Sequence, residues 1–506
     1  MMPGLVLAQA TQPIEAPSIA YRSIAPMLIV FSLAIVGVLI EAFADAEWRQ
    51  RLQLPVAIAG LVGAFAATAV LWQDETRQLV ARDAVVVDGP ALFLQGTLLA
   101  LTGCALLLLG DRGDPADPDH AVPRSLPTES YPLAMFSLGG MMLFVSANNL
   151  LVLFLALEVL SLPLYLLCGL ARRRRILSQE SAVKYFLLGA YSSAFFLYGV
   201  ALVYGFAGTV SYAGIFAAAS RVGGGDLILF AGLALLGVGL LFKIGAVPFH
   251  SWTPDVYEGA PTPITALMAA GTKVAAFGGL FRLMYVCFAP MRWDWRPAIW
   301  AVAILTMVVG AVIAVTQTDV KRMLAYSSIA HAGFILTALG GSNQSGLRGA
   351  LFYLLAYGFA VIGAFGIVTL VRDADGEATH LSRWQGLGRR SPLVAGAFAL
   401  FLFALAGIPL TSGFVAKFTV FEAAVSGGAT TLVVVGVLSS AIAAFFYARV
   451  VVLMFFQEPV DDGPEVVIPS PVTAAALGLA LAVTVLLGVL PGQLLRLADD
   501  AGRFLR

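Results

Sequence analysis

Residues 150–167 read LLVLFLALEVLSLPLYLL. Eight apolar or small side chains precede Glu158, and no other polar group follows until Ser161. A helical crossing of the bilayer takes roughly 20 apolar residues, so this run fits a transmembrane helix. A carboxylate in the middle of such a helix is costly and usually marks an ion path. In lipid the backbone must satisfy its own hydrogen bonds, which leaves helices and closed barrels as the spanning structures.

The rest of the chain repeats the pattern. At 506 residues it could hold several soluble domains, but 59% of it is hydrophobic and 12% charged, and its mean hydropathy is +0.90. Soluble domains carry about 25% charge. Apolar runs fall at about 24–43, 53–72, 90–110, 131–147, 149–170, 182–206, 226–249, 262–288, 298–316, 322–340, 347–371, 392–424, 429–456 and 470–491. The expected fold is therefore an all-α polytopic membrane protein of about fourteen transmembrane helices, with no sizeable soluble domain. A short apolar patch, Leu5 to Ala8, lacks a basic region before it, which argues against a cleaved signal peptide.

The charge balance of +0 leaves no basic surface for nucleic acid. Cys104, Cys168 and Cys287 each stand alone in apolar sequence and read as small buried hydrophobes. His120, His250, His331 and His380 do not pair at ligand spacing, and no glycine-rich phosphate loop or G-x-S-x-G is present. The reading is a chain with no redox centre, metal or cofactor of its own. If the N-terminus is outside, the inward loops carry Arg49, Arg51, Arg112, Arg124, Arg172 to Arg175, Lys321, Arg322, Arg372, Arg383, Arg389 and Arg390. The outward loops then carry only Arg77, Arg82, Arg221, Arg292, Arg296 and Arg348. By the positive-inside rule both termini are expected outside.

Of thirty basic residues only five are lysines: Lys184, Lys243, Lys273, Lys321 and Lys417. Lys243, Lys273 and Lys417 fall inside apolar runs. A buried ammonium can give up its proton, whereas a guanidinium stays charged, so lysine is the cation that can act as a carrier. A carboxylate such as Glu158 close to one of these lysines would favour the charged form. Pro248 follows Lys243 by five residues, and Pro409 precedes Lys417 by eight, next to Gly407 and Gly413. Prolines there predict broken helices, which recur at intramembrane ion sites. Ala269, Ala270 and Ala276 give the Lys273 helix a small-residue face for close approach. His331 has Ser327 and Ser328 one turn earlier, a face suited to a hydrated proton wire. Lys184 stands four residues after Glu180, the spacing of an ordinary surface ion pair. Glu41 and Glu422 lie near span ends and read as interfacial.

Five stretches carry a family resemblance: LEVLSLPLYLL (157–167), ESAVKYFLLGAYSSAFFLYGVALVYG (180–205), FKIGAVPFHSWTPDVYEGAPTPITALMAAGTKVAAFGGLFR (242–282), QTDVKRMLAYSSIAHAGF (317–334) and LAGIPLTSGFVAKF (405–418). Together they resemble the antiporter-like subunits of respiratory complex I, over most of 131–457. Within that family the N-subunit branch is most similar: the M branch has a glutamate where this chain has Lys417, and the L branch has a long C-terminal extension.

The resemblance implies two inverted five-helix repeats with discontinuous seventh and twelfth helices. The division would be a three-helix segment 1–130, repeats 131–288 and 289–457, and a last helix in 458–506. It also implies proton-path roles for Glu158, Lys243, Lys273, Lys417, His331 and Lys184. The function then expected is that of a non-redox, proton-translocating membrane-arm subunit of an NADH:quinone oxidoreductase in the bacterial inner membrane. Its partners would be neighbouring membrane-arm subunits, the lipid bilayer and protons. A subunit of a stand-alone cation/proton antiporter is the alternative, although no oxygen-rich cluster favours Na⁺.

Overall fold

The computed structural model describes residues 20–110, 126–171, 175–221, 226–341, 343–373 and 376–505. Leu5 to Ala8, Arg112, His120, Arg124 and Arg172 to Arg174 lie outside them.

The chain is almost entirely helical. In order the helices are α1 (Tyr21–Phe43), α2 (Ala46–Gln73), α3 (Gly89–Leu109), α4 (Ser130–Ser146), α5 (Leu150–Cys168), α6 (Arg175–Ala207), α7 (Tyr212–Arg221), α8 (Leu227–Ile244), α9 (Trp252–Gly259), α10 (Thr262–Leu267) and α11 (Lys273–Arg282). They continue as α12 (Arg292–Thr316), α13 (Val320–Gly340), α14 (Gln344–Val368), α15 (Leu387–Arg390), α16 (Pro392–Ala406), α17 (Ser412–Ser426), α18 (Thr430–Phe456), α19 (Pro471–Val489) and α20 (Gly492–Ala501). Twelve helical stretches among the described residues are long and apolar enough to cross a membrane, one of them the continuous run Thr262–Cys287 that contains α10 and α11. The shorter α4 and the α16/α17 pair coincide with the other two apolar runs of the sequence.

The sequence places several boundaries too far inward. α2 starts at Ala46 rather than near 53, α6 at Arg175 rather than 182, and α12 at Arg292 rather than 298. At α2 the Asp45 side chain caps by accepting from Trp48 N at 2.9 Å, and at α13, which starts at Val320 rather than 322, Asp319 accepts from Arg322 N at 2.9 Å, while α6 and α12 extend through polar first turns. Arg49, Arg51, Arg292, Arg296, Lys321 and Arg322 therefore sit in helices rather than in loops. The run 226–249 is a helix only to Ile244, and the run 392–424 is two helices. Past α19 the amphipathic α20 is an element that a search for long apolar runs does not reveal.

Two small antiparallel sheets mark opposite ends of the bundle. β1 (Gln78–Val80) pairs with β2 (Val85–Val87) between α2 and α3. At the other end β3 (Val371–Asp373) lies between β4 (Gly376–Glu377) and β5 (Glu465–Val466). The core is innermost around α3, α11, α13 and α14, whose residues are nearly all buried. α1, α2, α6 and α18 expose many large apolar side chains, Phe43, Phe65, Tyr198 and Phe445 among them, as helices facing lipid or other subunits do.

Candidate functional site

Both proline-containing segments break their helices. α8 ends on Gly245 at φ 77° and α16 on Gly407 at φ 84°. This left-handed conformation favours glycine because it has no Cβ to clash. At the second break Gly407 N and Ile408 N donate to Phe403 O, and Gly407 N also donates to Ala404 O, each at 3.0 Å. The two remaining carbonyls, Leu405 O and Ala406 O, accept from Lys417 Nζ at 3.0 and 2.8 Å. The ammonium also donates to Ser440 Oγ at 2.9 Å and lies 4.8 Å from the Phe334 ring centre. A cation against the C-terminal carbonyls of a half-helix is favourable through both hydrogen bonds and the helix dipole. Gly407 also makes room for it, since a Cβ there would stand 3.0 Å from Lys417 Cδ.

Lys243, in the last turn of α8, donates to Ser161 Oγ at 2.7 Å and Tyr185 OH at 2.9 Å. Its ammonium lies 5.1 and 5.9 Å from the Tyr185 and Tyr165 ring centres, within cation–π range. Ser161 is one helical turn past Glu158 on α5. Glu158 itself forms no ion pair with Lys243; its Oε1 is buried without a hydrogen-bond partner. The carboxylate the sequence offers as a lysine partner is thus not bonded to Lys243, whose ammonium donates to Ser161 and Tyr185 instead.

Lys273 opens α11 directly after a π turn, Met268–Thr272. π turns are rare and concentrate at functional sites. Its Nζ donates to the backbone carbonyl of Ser328 at 2.5 Å, with the Tyr357 ring centre at 5.5 Å. His331, one turn further along α13, does not use the serine hydroxyls. His331 Nδ1 bonds Tyr353 OH at 2.7 Å, and Nε2 lies 3.5 Å from Tyr447 OH, which in turn bonds Ser327 Oγ. Tyrosines from α14 and α18 therefore stand next to the imidazole, and Ser327 is reached through Tyr447 rather than directly. The Ser328 hydroxyl and Tyr357 OH are buried beside it without hydrogen-bond partners, positions where ordered water would bond.

Lys184 is the exception. It pairs with Glu180 and Asp255, each at 2.7 Å, at a half-exposed edge, and Arg322 joins the network through Asp255 at 2.9 Å and Glu258 at 2.7 Å. These residues line a cavity of about 90 Å³. Burial alone would raise the Asp255 carboxyl, but hydrogen bonds from Lys184 and Arg322 outweigh it and hold the carboxyl below its ordinary value.

Two groups escaped the sequence reading. Lys321, which the sequence places in an inward loop, is 2% exposed and donates to Ala260 O at 2.8 Å, with Glu377 Oε2 at 3.8 Å. Asp88 and Arg282 form a fully buried ion pair. Neither has a local signal, since the partners are 56 and 194 residues apart in the chain; an acidic residue beginning one apolar run and an arginine ending another is the only hint. His250 and His380 join none of these groups. Cys104, Cys168 and Cys287 are buried free thiols.

Residues 147–443 match the NADH:quinone oxidoreductase/Mrp antiporter transmembrane family. The NADH-quinone oxidoreductase subunit N of Parafrankia sp. is 60% identical over 514 residues, spanning 98% of each chain. That of Rhodococcus opacus is 58% identical over 537 residues, spanning 99% of each. A chain in the structure of respiratory complex I from Thermus thermophilus is similar with a TM-score of 0.78 and 32% identity, over 94% of this chain and 99% of that one. A chain in the Mrp complex from Dietzia sp. shares the fold, with a TM-score of 0.83 at 24% identity over 96% and 97% of the two chains.

Proposed function

Because the chain belongs to the NADH:quinone oxidoreductase/Mrp antiporter family, as a member of its subunit N branch, we propose that its buried lysines form a proton path from one side of the membrane to the other. The chain is an antiporter-like membrane-arm subunit of a proton-translocating NADH:quinone oxidoreductase, and NADH oxidation and quinone reduction take place elsewhere in that assembly.

One observation carries the path. Among the described residues, Lys243, Lys273 and Lys417 have only neutral partners, namely hydroxyls, peptide carbonyls and aromatic faces. Lys184, Lys321, Arg282 and Arg322, by contrast, each have a carboxylate within ion-pair distance. A cation locked to a carboxylate is held in its charged form, whereas one bonded to hydroxyls and carbonyls can release a proton without stranding a counter-charge. Hydroxyls both donate and accept, so Ser161, Tyr185, Tyr353 and Tyr447 can relay protons. His331 lies between the Lys273 and Lys417 sites: its helix supplies the Ser328 carbonyl to one and the Phe334 ring to the other.

In this reading Lys243 takes up the proton and Glu158 tunes its charge through space. Lys273 and His331 carry the proton across, and Lys417 releases it. The half-exposed Lys184–Asp255–Arg322 cluster lies at the uptake end, on the cytoplasmic side of the bacterial inner membrane, with both termini on the opposite side. Segments 131–288 and 289–457 would act as two repeats, each contributing one broken helix. The test is to replace Lys273 and Lys417 separately with Met and measure proton uptake per NADH oxidised in inverted vesicles. Assembled enzyme with a reduced ratio is expected; normal pumping in both variants would remove the path.

A further inference from the structure

α11 is a ten-residue helix, Lys273–Arg282, with a π turn at each end: Met268–Thr272 before its first residue and Leu283–Cys287 after its last. Each π turn holds one residue more than an α-helical ladder needs. The helix between them can therefore change register while its flanks stay in place, and one step of register is about 100° of rotation and about 1.5 Å of travel. Gly278 lets α11 approach α3 and α4 closely, since a Cβ there would stand 2.7 Å from Leu94 Cδ1 and Val145 Cγ1. Lys273 and Arg282 are the two ends of this segment, about 13 Å apart along the axis.

The Arg282 end is clamped. Its guanidinium bonds Asp88 in two-pronged fashion, Nη1 to Oδ2 at 2.9 Å and Nη2 to Oδ1 at 2.6 Å, and Nε donates to Val145 O at 3.2 Å. Asp88 also caps α3 by accepting from Ala91 N at 3.0 Å. The C-terminal segment closes over the pair. Leu505 N donates to Asp88 Oδ2 at 3.0 Å, the Phe504 ring centre is 4.9 Å from the guanidinium carbon, and Phe504 stacks on Tyr285. Gly89 permits this closure, since a Cβ there would stand 2.6 Å from Ala501 O. A fork-shaped pair of this kind fixes orientation as well as distance.

We propose that Arg282 is a positioning residue for Lys273: the Asp88–Arg282 pair, sealed by residues 502–505, holds the rotation and height of α11 and so fixes where the Lys273 ammonium meets the Ser328 carbonyl. This rests on the reading of Lys273 as a carrier. Losing the clamp frees α11 to shift register, and Lys273 leaves its acceptor.

The test uses the complete oxidoreductase in proteoliposomes with three variants: Asp88→Asn, which removes the charge of the pair but keeps an oxygen for the α3 cap; Phe504→Ala, which keeps the pair but removes its lid; and Lys273→Arg. The readout is proton uptake per NADH oxidised by assembled enzyme, and its pH profile. The expected result is loss of most of the proton uptake that passes through Lys273 for Asp88→Asn, because a misplaced reacting group is slow to transfer, with a smaller loss for Phe504→Ala. If Asp88→Asn does not assemble, Phe504→Ala decides by the same ratio. Fewer assembled complexes with an unchanged ratio and pH profile would reduce the clamp to a structural role and overturn the proposal. Normal pumping by Lys273→Arg overturns the carrier reading itself. An uncoupled Lys273→Arg beside fully coupled clamp variants overturns the clamp alone.

Discussion

Replacing Lys243 with arginine separates charge from titration. The site is 4% exposed, and its two hydroxyl acceptors, Ser161 and Tyr185, can serve a guanidinium as well as an ammonium. Charge and hydrogen bonds are retained, and the extra volume costs about 1–3 kcal/mol of packing, so an assembled complex is expected. Proton release is another matter. Arginine titrates at least about 5 units above neutrality, and at 1.36 kcal/mol per unit its deprotonation costs about 7 kcal/mol more than that of a carrier that titrates near neutral pH. That is a factor of about 10⁵ in the population of the neutral form, far beyond any packing effect. The assay is NADH:quinone reductase activity and dye-monitored proton uptake on the same inverted vesicles. A proton-to-NADH ratio within about 20% of the parent enzyme's, where this energy gap predicts near-complete loss of flow through Lys243, would refute the idea that Lys243 cycles its proton.

Glu158→Gln keeps shape and breaks no ion pair, so stability should move by less than about 1 kcal/mol while proton uptake per NADH falls; unchanged coupling would leave Glu158 only a structural role. Asp255→Asn tests the surface cluster. Because the folded carboxyl is held below its ordinary 3.8, its stabilisation is fully present above that value and is lost as pH falls through the lower folded one. Thermal unfolding of the purified complex should therefore show a parent-minus-variant difference at pH 7 that closes only below about pH 4; a difference that closes near pH 6 contradicts the pairing. Gly199→Ala places a Cβ 2.7 Å from Leu236 N and 2.8 Å from Gly232 O, forcing α6 away from α8 at a cost of about 1–3 kcal/mol, which a lowered unfolding temperature would report.

The buried candidates were legible in the sequence because each interrupts an apolar run. Lys243, Lys273, Lys417 and His331 are all at most 6% exposed, and the two breaks fall where glycine and proline stand together. What the sequence hides is pairing. Lys321 sits in the polar stretch QTDVKR and reads as a loop anchor; it is buried only because residues 376–380 fold back over the end of α13, where Asp319 bridges His380 and Glu377 accepts from Thr262. Asp88 and Arg282 meet across 194 positions, and the tyrosines around His331 come from two other helices. Hydrophobic periodicity reports which face of a helix is buried. It carries no information on which distant polar group is met there.

At the second break the last four carbonyls of α16 are all satisfied, two by backbone amides and two by Lys417. Away from water an unsatisfied peptide group costs several kcal/mol, and so does an ammonium with no acceptor. Each defect is the other's remedy. In this chain a substitution that repairs the helix strands the cation, and one that removes the cation leaves Leu405 O and Ala406 O without their donor.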